Sequence, residues 1–136
     1  MTERPDAATG MVVLIDDTRL FRDGRPCLMA RTPDHGIYLL NELAGQWIDE
    51  LWLDYDLFDE NSEPIVEHLI GLAAAGHPAR IRQILVHSAR TLEGFQITTR
   101  LRLAGYPARR EFSAGIWTRN LDRRPLPHEY PRTAHT

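Results

Sequence analysis

Three separated stretches of this 136-residue chain place chemically capable side chains directly after an apolar run. Val12-Val13-Leu14-Ile15 runs into Asp16-Asp17, with Arg19 just beyond. "LWLDYDL" delivers Asp54 and Asp56, and "ILVHSAR" delivers His87, Ser88 and Arg90. Adjacent carboxylates repel unless a cation holds them, and oxygen ligands favour Mg²⁺, Ca²⁺ or Mn²⁺ over Zn²⁺. Mg²⁺ commonly takes one or two carboxylates and fills its shell with water and phosphate oxygens. Arg19 and Arg90 can grip such oxygens bidentately. His87, with a reference pKa near neutrality, can give or take a proton; the alternative is a buried ring bonded to a backbone carbonyl. Any one of these acids taken alone reads equally well as a turn or helix cap. Asp16 and Asp54, however, directly continue strand-like runs, so three caps are the weaker explanation.

The elements that must position these residues follow a repeated rhythm. Apolar runs over 11–15, 27–30, 48–53 and 81–86, with a weaker one over 108–112, predict strands. Between them lie helical periods carried by Ile37, Leu40, Leu43 and Ala44, and by Ile65, Leu69, Ile70 and Ala73. A third, broken stripe runs through Leu92, Phe95, Leu101 and Ala104. Thr32 before Pro33 and Asp34, Ser62 or Glu63 before Pro64, and Thr91 are the predicted helix starts. Gly45, Gly76 and Gly105 sit where a helix end needs positive φ, and Pro78 and Pro107 follow two of them. The alternation predicts an open, mainly parallel α/β sheet of about five strands with helices on both faces. The link "DDTRLFRDGRP" has no helical pattern, leaving either a loop in place of the first helix or a second strand that pairs differently. Residues 1–10 read as a flexible lead, 11–112 as the domain and 113–136 as an irregular extension with Trp117 and Tyr130 as candidate anchors. Ligands of open parallel sheets sit outside the carboxyl ends of the strands, which is where all three polar stretches fall.

Composition bounds the partners. Hydrophobic residues make up 43% and the net charge is −3, which suits a globular domain and argues against sequence-specific DNA binding. No apolar run can span a bilayer, the N-terminus has no signal-peptide core, and the single Cys27 fits a reducing, cytoplasmic setting. All 16 basic residues are Arg.

The Asp-Asp pair, the later Asp54 and the Ser88-Ala89 pair resemble two-component receiver domains. That resemblance implies a flavodoxin-like fold, a metal at Asp16, Asp17 and Asp54, and a phosphoryl contact at Ser88. A receiver also needs a Lys after its fifth strand, and none is present. "LIDDTR", "ARTPDHGIYLL", "LWLDYDL" and "ILVHSAR" together more closely resemble the cyclic-phosphate processing receiver-like family, over roughly residues 11–112. Tyr55 stands where that family has His, Arg90 where it has Asn, and "FDENSEP" replaces a Gly-rich turn. Glu93, Gln96 and Ile97 replace the Gly and Asn-Met of the third helix start. The implied function is a metal-dependent phosphoesterase acting on a cyclic phosphate of a nucleotide, another phosphorylated small molecule or an RNA end. Mg²⁺ or Mn²⁺ would sit at Asp16, Asp17 and Asp54, phosphate at Arg19, Arg90 and Ser88, and proton chemistry at His87 with Asp56 and Ser88. The alternative is a non-catalytic receiver-like binding module, favoured by Tyr55 and Arg90. A third reading, from the likeness of "LWLDYDL" to the opening motif of haloacid-dehalogenase enzymes, is weakened by Phe58 following the motif where Thr or Ser is usual.

Overall fold

A computed structural model describes residues 10–119. The elements in chain order are β1 (Val12–Ile15), β2 (Arg19–Phe21), β3 (Leu28–Ala30), α1 (Pro33–Glu42), β4 (Glu50–Leu53), β5 (Asp56–Leu57), β6 (Glu60–Asn61), α2 (Glu63–Ala74), β7 (Ile84–Val86), α3 (Thr91–Leu103), β8 (Ala108–Arg110) and β9 (Trp117–Arg119). Five strands form one sheet in the order β3-β1-β4-β7-β8, and every neighbouring pair is parallel. This is the receiver/flavodoxin-like arrangement. The chain leaves β1 towards β3 but leaves β4 in the opposite direction, towards β7. Such a reversal opens a crevice at the carboxyl ends of β1 and β4.

Strand alternation sorts the core into two layers. Val13, Ile15, Leu51, Leu53, Ile84 and Val86 point to one face and meet Leu39, Leu40, Ile65, Val66, Leu69, Ile97 and Leu101 from all three helices. Leu14, Met29, Trp52 and Leu85 point to the other face, where they pack with Phe21, Cys27, Leu20 and Trp117. Among the described residues the second face is thus covered not by helices, as expected, but by an antiparallel ribbon of β2 and β9. The "DDTRLFRDGRP" link is the reason. Without an apolar stripe it cannot make a helix, so the chain crosses from β1 to β3 as an extended segment. Trp117 lies in this ribbon, so the extension from 113 is not irregular throughout; Tyr130 lies outside the described residues.

The helix signals act where expected at most ends. Thr32 is extended at φ −131° and its hydroxyl accepts from the His35 N–H at 3.1 Å. Ser62 starts α2 ahead of Pro64, but its buried hydroxyl makes no capping bond. At α3 the cap position falls to Arg90 rather than Thr91, while the Ser88 hydroxyl accepts from the Arg90 N–H at 3.0 Å. Gly45, Gly76 and Gly105 end their helices at φ +88°, +86° and +103°. Among the described residues Phe58 alone adopts positive φ without being glycine, at +63°. For a side chain with a Cβ that conformation costs about 1–2 kcal/mol.

Candidate functional site

Register builds the site. Ile15 lies level with Ala30 and Leu53, and Leu53 with Val86. The next residues are Arg31, Asp16, Asp54 and His87, side by side at the carboxyl edge. Their backbones continue the ladder: the N–H groups of Asp16, Asp54 and His87 donate to Ala30, Ile15 and Leu53 carbonyls, each at 3.0 Å. By strand alternation their side chains fall on the face covered by the ribbon.

Asp16 is fully buried. Its Oδ1 accepts from the N–H groups of Thr18 (2.9 Å) and Arg19 (2.8 Å), a local turn that redirects the chain into β2. Its Oδ2 meets His87 Nε2 at 2.7 Å. Arg19 Nη1 stands 3.7 Å from both Asp16 Oδ2 and Asp54 Oδ2. That is near enough to attract both carboxylates and too far to hydrogen-bond either. The His87 ring is walled in, with Trp117 at 4.6 Å and Trp52 at 5.9 Å between centroids. The Arg19 guanidinium lies 6.0 Å from the Trp117 ring, so the ribbon supplies both a cation and an aromatic wall.

The two carboxyls are driven apart electrostatically. For Asp16 burial acts to raise the pKa, but the His87 hydrogen bond and charge and the Arg19 and Thr18 N–H groups outweigh it and hold the carboxyl below its usual value. Asp54 is pushed up to about 8, first by burial and then by the charge of Asp16, with Arg19 opposing and Asp17 and Asp56 adding to the rise. Such splitting is expected when two carboxyls share a buried site with too little positive charge. A divalent cation would supply that charge. One oxygen from each of Asp16 and Asp54 and one ring nitrogen of His87 lie within 4.8 Å of one another. The two carboxylates suit Mg²⁺ or Mn²⁺, whereas an imidazole nitrogen is a ligand for softer metals such as Zn²⁺ or Fe²⁺.

The other sequence-selected residues stand around this centre. Asp17 is half-buried, and its Oδ2 accepts from the Phe58 N–H at 2.9 Å, so it does not join the Asp16, Asp54 and His87 group. Alternation explains this: successive residues of an extended chain point to opposite sides. Asp56 and Arg90 are bonded to each other at the surface, Nε to Oδ2 at 3.0 Å, and Arg90 also lies 3.8 Å from Glu93. Ser88 is half-buried beneath Arg90. Tyr55 packs against the helix-side core.

Two further arginines occupy this edge. Arg31, buried beside Asp16, could have been found from its place directly after the second apolar run. Arg110, at the end of β8, donates to the Val86 carbonyl at 3.0 Å and to the Ser88 carbonyl at 3.3 Å. Its guanidinium lies across Gly94, where an added Cβ would meet Arg110 Nη1 at 2.6 Å. Burial lowers the Arg110 pKa, and the charge of Asp54 opposes that. The available signals were a basic residue in the fifth run and a glycine inside the third helix. A groove between the C-terminal ends of α1 and α2, lined by residues such as Leu43, Trp47, Leu72 and Pro78, contains no carboxylate and is remote from this chemistry.

The edge geometry agrees with the comparison of the chain with known families, in which the cyclic-phosphate processing receiver domain matches residues 11–102. The chain belongs to that family. No curated protein and no solved structure matches it. The matched residues include the acid after the first strand, the acid after the third sheet strand and the His-Ser after the fourth. Among the described residues no helix is long and apolar enough to cross a membrane.

Proposed function

We propose that this domain is a metal-dependent phosphoesterase-type site that binds the cyclic phosphate of a nucleotide or an RNA end and opens it to a monoester, water forming the new P–O bond as one ring ester bond breaks and its oxygen leaves as a hydroxyl. The observation that carries this reading is the buried Asp16–Asp54 pair beside His87, at the point where the strand order reverses. Asp16 and Asp54 would hold Mg²⁺ or Mn²⁺, which when bound would supply Lewis-acid polarisation of a phosphoryl oxygen, with His87 beside the ion left free to move a proton. Asp54 gives up its proton on entering that role. Arg19, already drawn towards both carboxylates and backed by Trp117, clamps a phosphoryl oxygen as charge builds on it. His87 Nε2 is hydrogen-bonded to Asp16 Oδ2 and fixes its orientation. It is the group placed to carry a proton to the leaving hydroxyl. Ser88 and Arg90, at the rim, are within the same edge and would contact the phosphate or its ester once the Asp56–Arg90 pair parts.

The near-complete burial of His87, 3% exposed between two tryptophans, favours a second reading in which the site binds but does not turn over. One assay separates the two. With Mn²⁺ present, purified protein and a 2′,3′-cyclic nucleotide should yield the 2′- or 3′-monophosphate. The rate should fall about 10²–10⁴-fold in His87→Ala if the imidazole moves a proton. Absence of product above a metal blank, with nucleotide affinity that depends on Arg19 and Asp54, would establish the binding module instead.

A further inference from the structure

The β5–β6 hairpin at the rim of the site holds a side chain that its backbone disfavours. Leu57 and Glu60 pair across a two-residue loop, Phe58-Asp59. Phe58 has φ +63°, and Asp59 is not among the positive-φ residues. Positive φ at only the first loop position is the pattern of a hairpin turn in which that position normally belongs to glycine. A bulky residue persists in such a conformation only where its surroundings over-determine it, and such outliers concentrate at functional sites. The restraint here is visible: Asp17 Oδ2 accepts the Phe58 N–H at 2.9 Å, and fully buried Leu57 anchors the hairpin beneath it. Asp17 follows Asp16 directly, so one short loop holds both the buried acid centre and the backbone of this aromatic residue. The residue is 43% exposed.

We propose that Phe58 is a specificity-determining residue, an aromatic platform locked to the acid loop by Asp17, against which the base of a bound nucleotide stacks. The inference rests on the phosphate-site reading above and gives it a ligand class: a nucleotide or an RNA end, rather than a phosphorylated molecule lacking a flat ring. A phosphate alone needs only the cations and carboxylates at the strand ends. A ligand with a phosphate and an aromatic face can use those groups and the strained ring together. Stacking accepts any base, so the preference is for the presence of a base and not for its identity.

The test compares two probes by calorimetry in the presence of Mn²⁺: 2′,3′-cyclic AMP, and methyl riboside 2′,3′-cyclic phosphate, which has the same phosphate and no base. Wild type should bind the nucleotide more tightly than the riboside. Phe58→Gly should weaken nucleotide binding by about tenfold, the effect of losing one base–aromatic stack, and leave riboside binding unchanged. The same substitution should hold or raise the thermal midpoint, because glycine suits the turn, and Phe58→Trp should restore nucleotide affinity. Equal affinity of wild type for both probes, or equal losses for both in Phe58→Gly, would overturn the platform while leaving the phosphate site standing. Failure of wild type to bind either probe would remove the phosphate site, and the platform with it.

Discussion

Replacing Asp54 with Asn should make the metal-free protein more stable, although it removes a buried, partly paired acid. An ordinary aspartate titrates near 3.8, and Asp54 in the folded chain near 8. Between these values the folded state holds a proton that the unfolded state has released. Stability from this group is therefore full below about pH 4, falls as pH rises to about 8, and is flat above. At about 1.4 kcal/mol per pH unit, the whole shift would remove roughly 4 kcal/mol by pH 7. Side-chain rotation and water entry relax part of such a penalty, so we expect Asp54→Asn to gain about 2 kcal/mol at pH 7. The gain should shrink to nothing near pH 4 and be largest at pH 8 or above. Losing the Arg19 attraction works against it, weakly, because at 3.7 Å that contact is not a hydrogen bond. Urea unfolding of both proteins from pH 4 to 9, with chelator present, gives the curve directly. A destabilised variant at every pH, or a difference that does not vary with pH, would refute the claim that Asp16 and Asp54 form an under-compensated pair.

Asp16→Asn should behave oppositely. The carboxyl is held below its usual value, so its contribution is present above about pH 4 and lost in acid; the variant should lose stability at neutral pH by about 1–3 kcal/mol. Trp117→Ala should cost about 2–4 kcal/mol in a denaturant melt, because the ring packs with Phe21, Trp52 and His87, and it should open His87 to solvent exchange measured by NMR. Gly94→Ala must displace the Arg110 guanidinium, and a loss of about 1–3 kcal/mol in thermal unfolding is expected; an unchanged midpoint would mean that Arg110 moves freely. Arg19→Lys should leave the fold intact but weaken phosphate binding in calorimetry, since an ammonium cannot reproduce the bidentate fork.

The residues of the acid centre were legible because each directly follows an apolar run and the strands run parallel in register. Given those two facts, Asp16, Asp54 and His87 can only be neighbours. The same alternation that makes Asp16 face His87 sends Asp17 towards Phe58, a distinction hidden while the two acids are read as a pair. The ribbon of β2 and β9 was not legible. Each strand has three residues, the partners lie at opposite ends of the described chain, and the polar turn between Asp17 and Cys27 carries no period to announce it. Arg19 could be selected from the sequence as a phosphate ligand, but its support by Trp117 could not. In the sequence Phe58 stood out as a departure from a glycine-rich turn and from the Thr or Ser of the haloacid-dehalogenase motif; its strain becomes evident once the two-residue loop and the Asp17 bond are seen.

The central claim is that Asp16 and Asp54 take up a divalent cation beside His87, and a Mn²⁺ titration at pH 7 by calorimetry in buffers of different ionisation enthalpy tests it most directly. Because Asp54 carries a proton at that pH and must lose it to bind, the claim predicts saturable binding at about one site, accompanied by release of close to one proton. Asp54→Asn should bind more weakly and release no proton. Wild-type binding without proton release, equal affinity in the two proteins, or no binding up to about 1 mM, the weak end of biological cation sites, would contradict it.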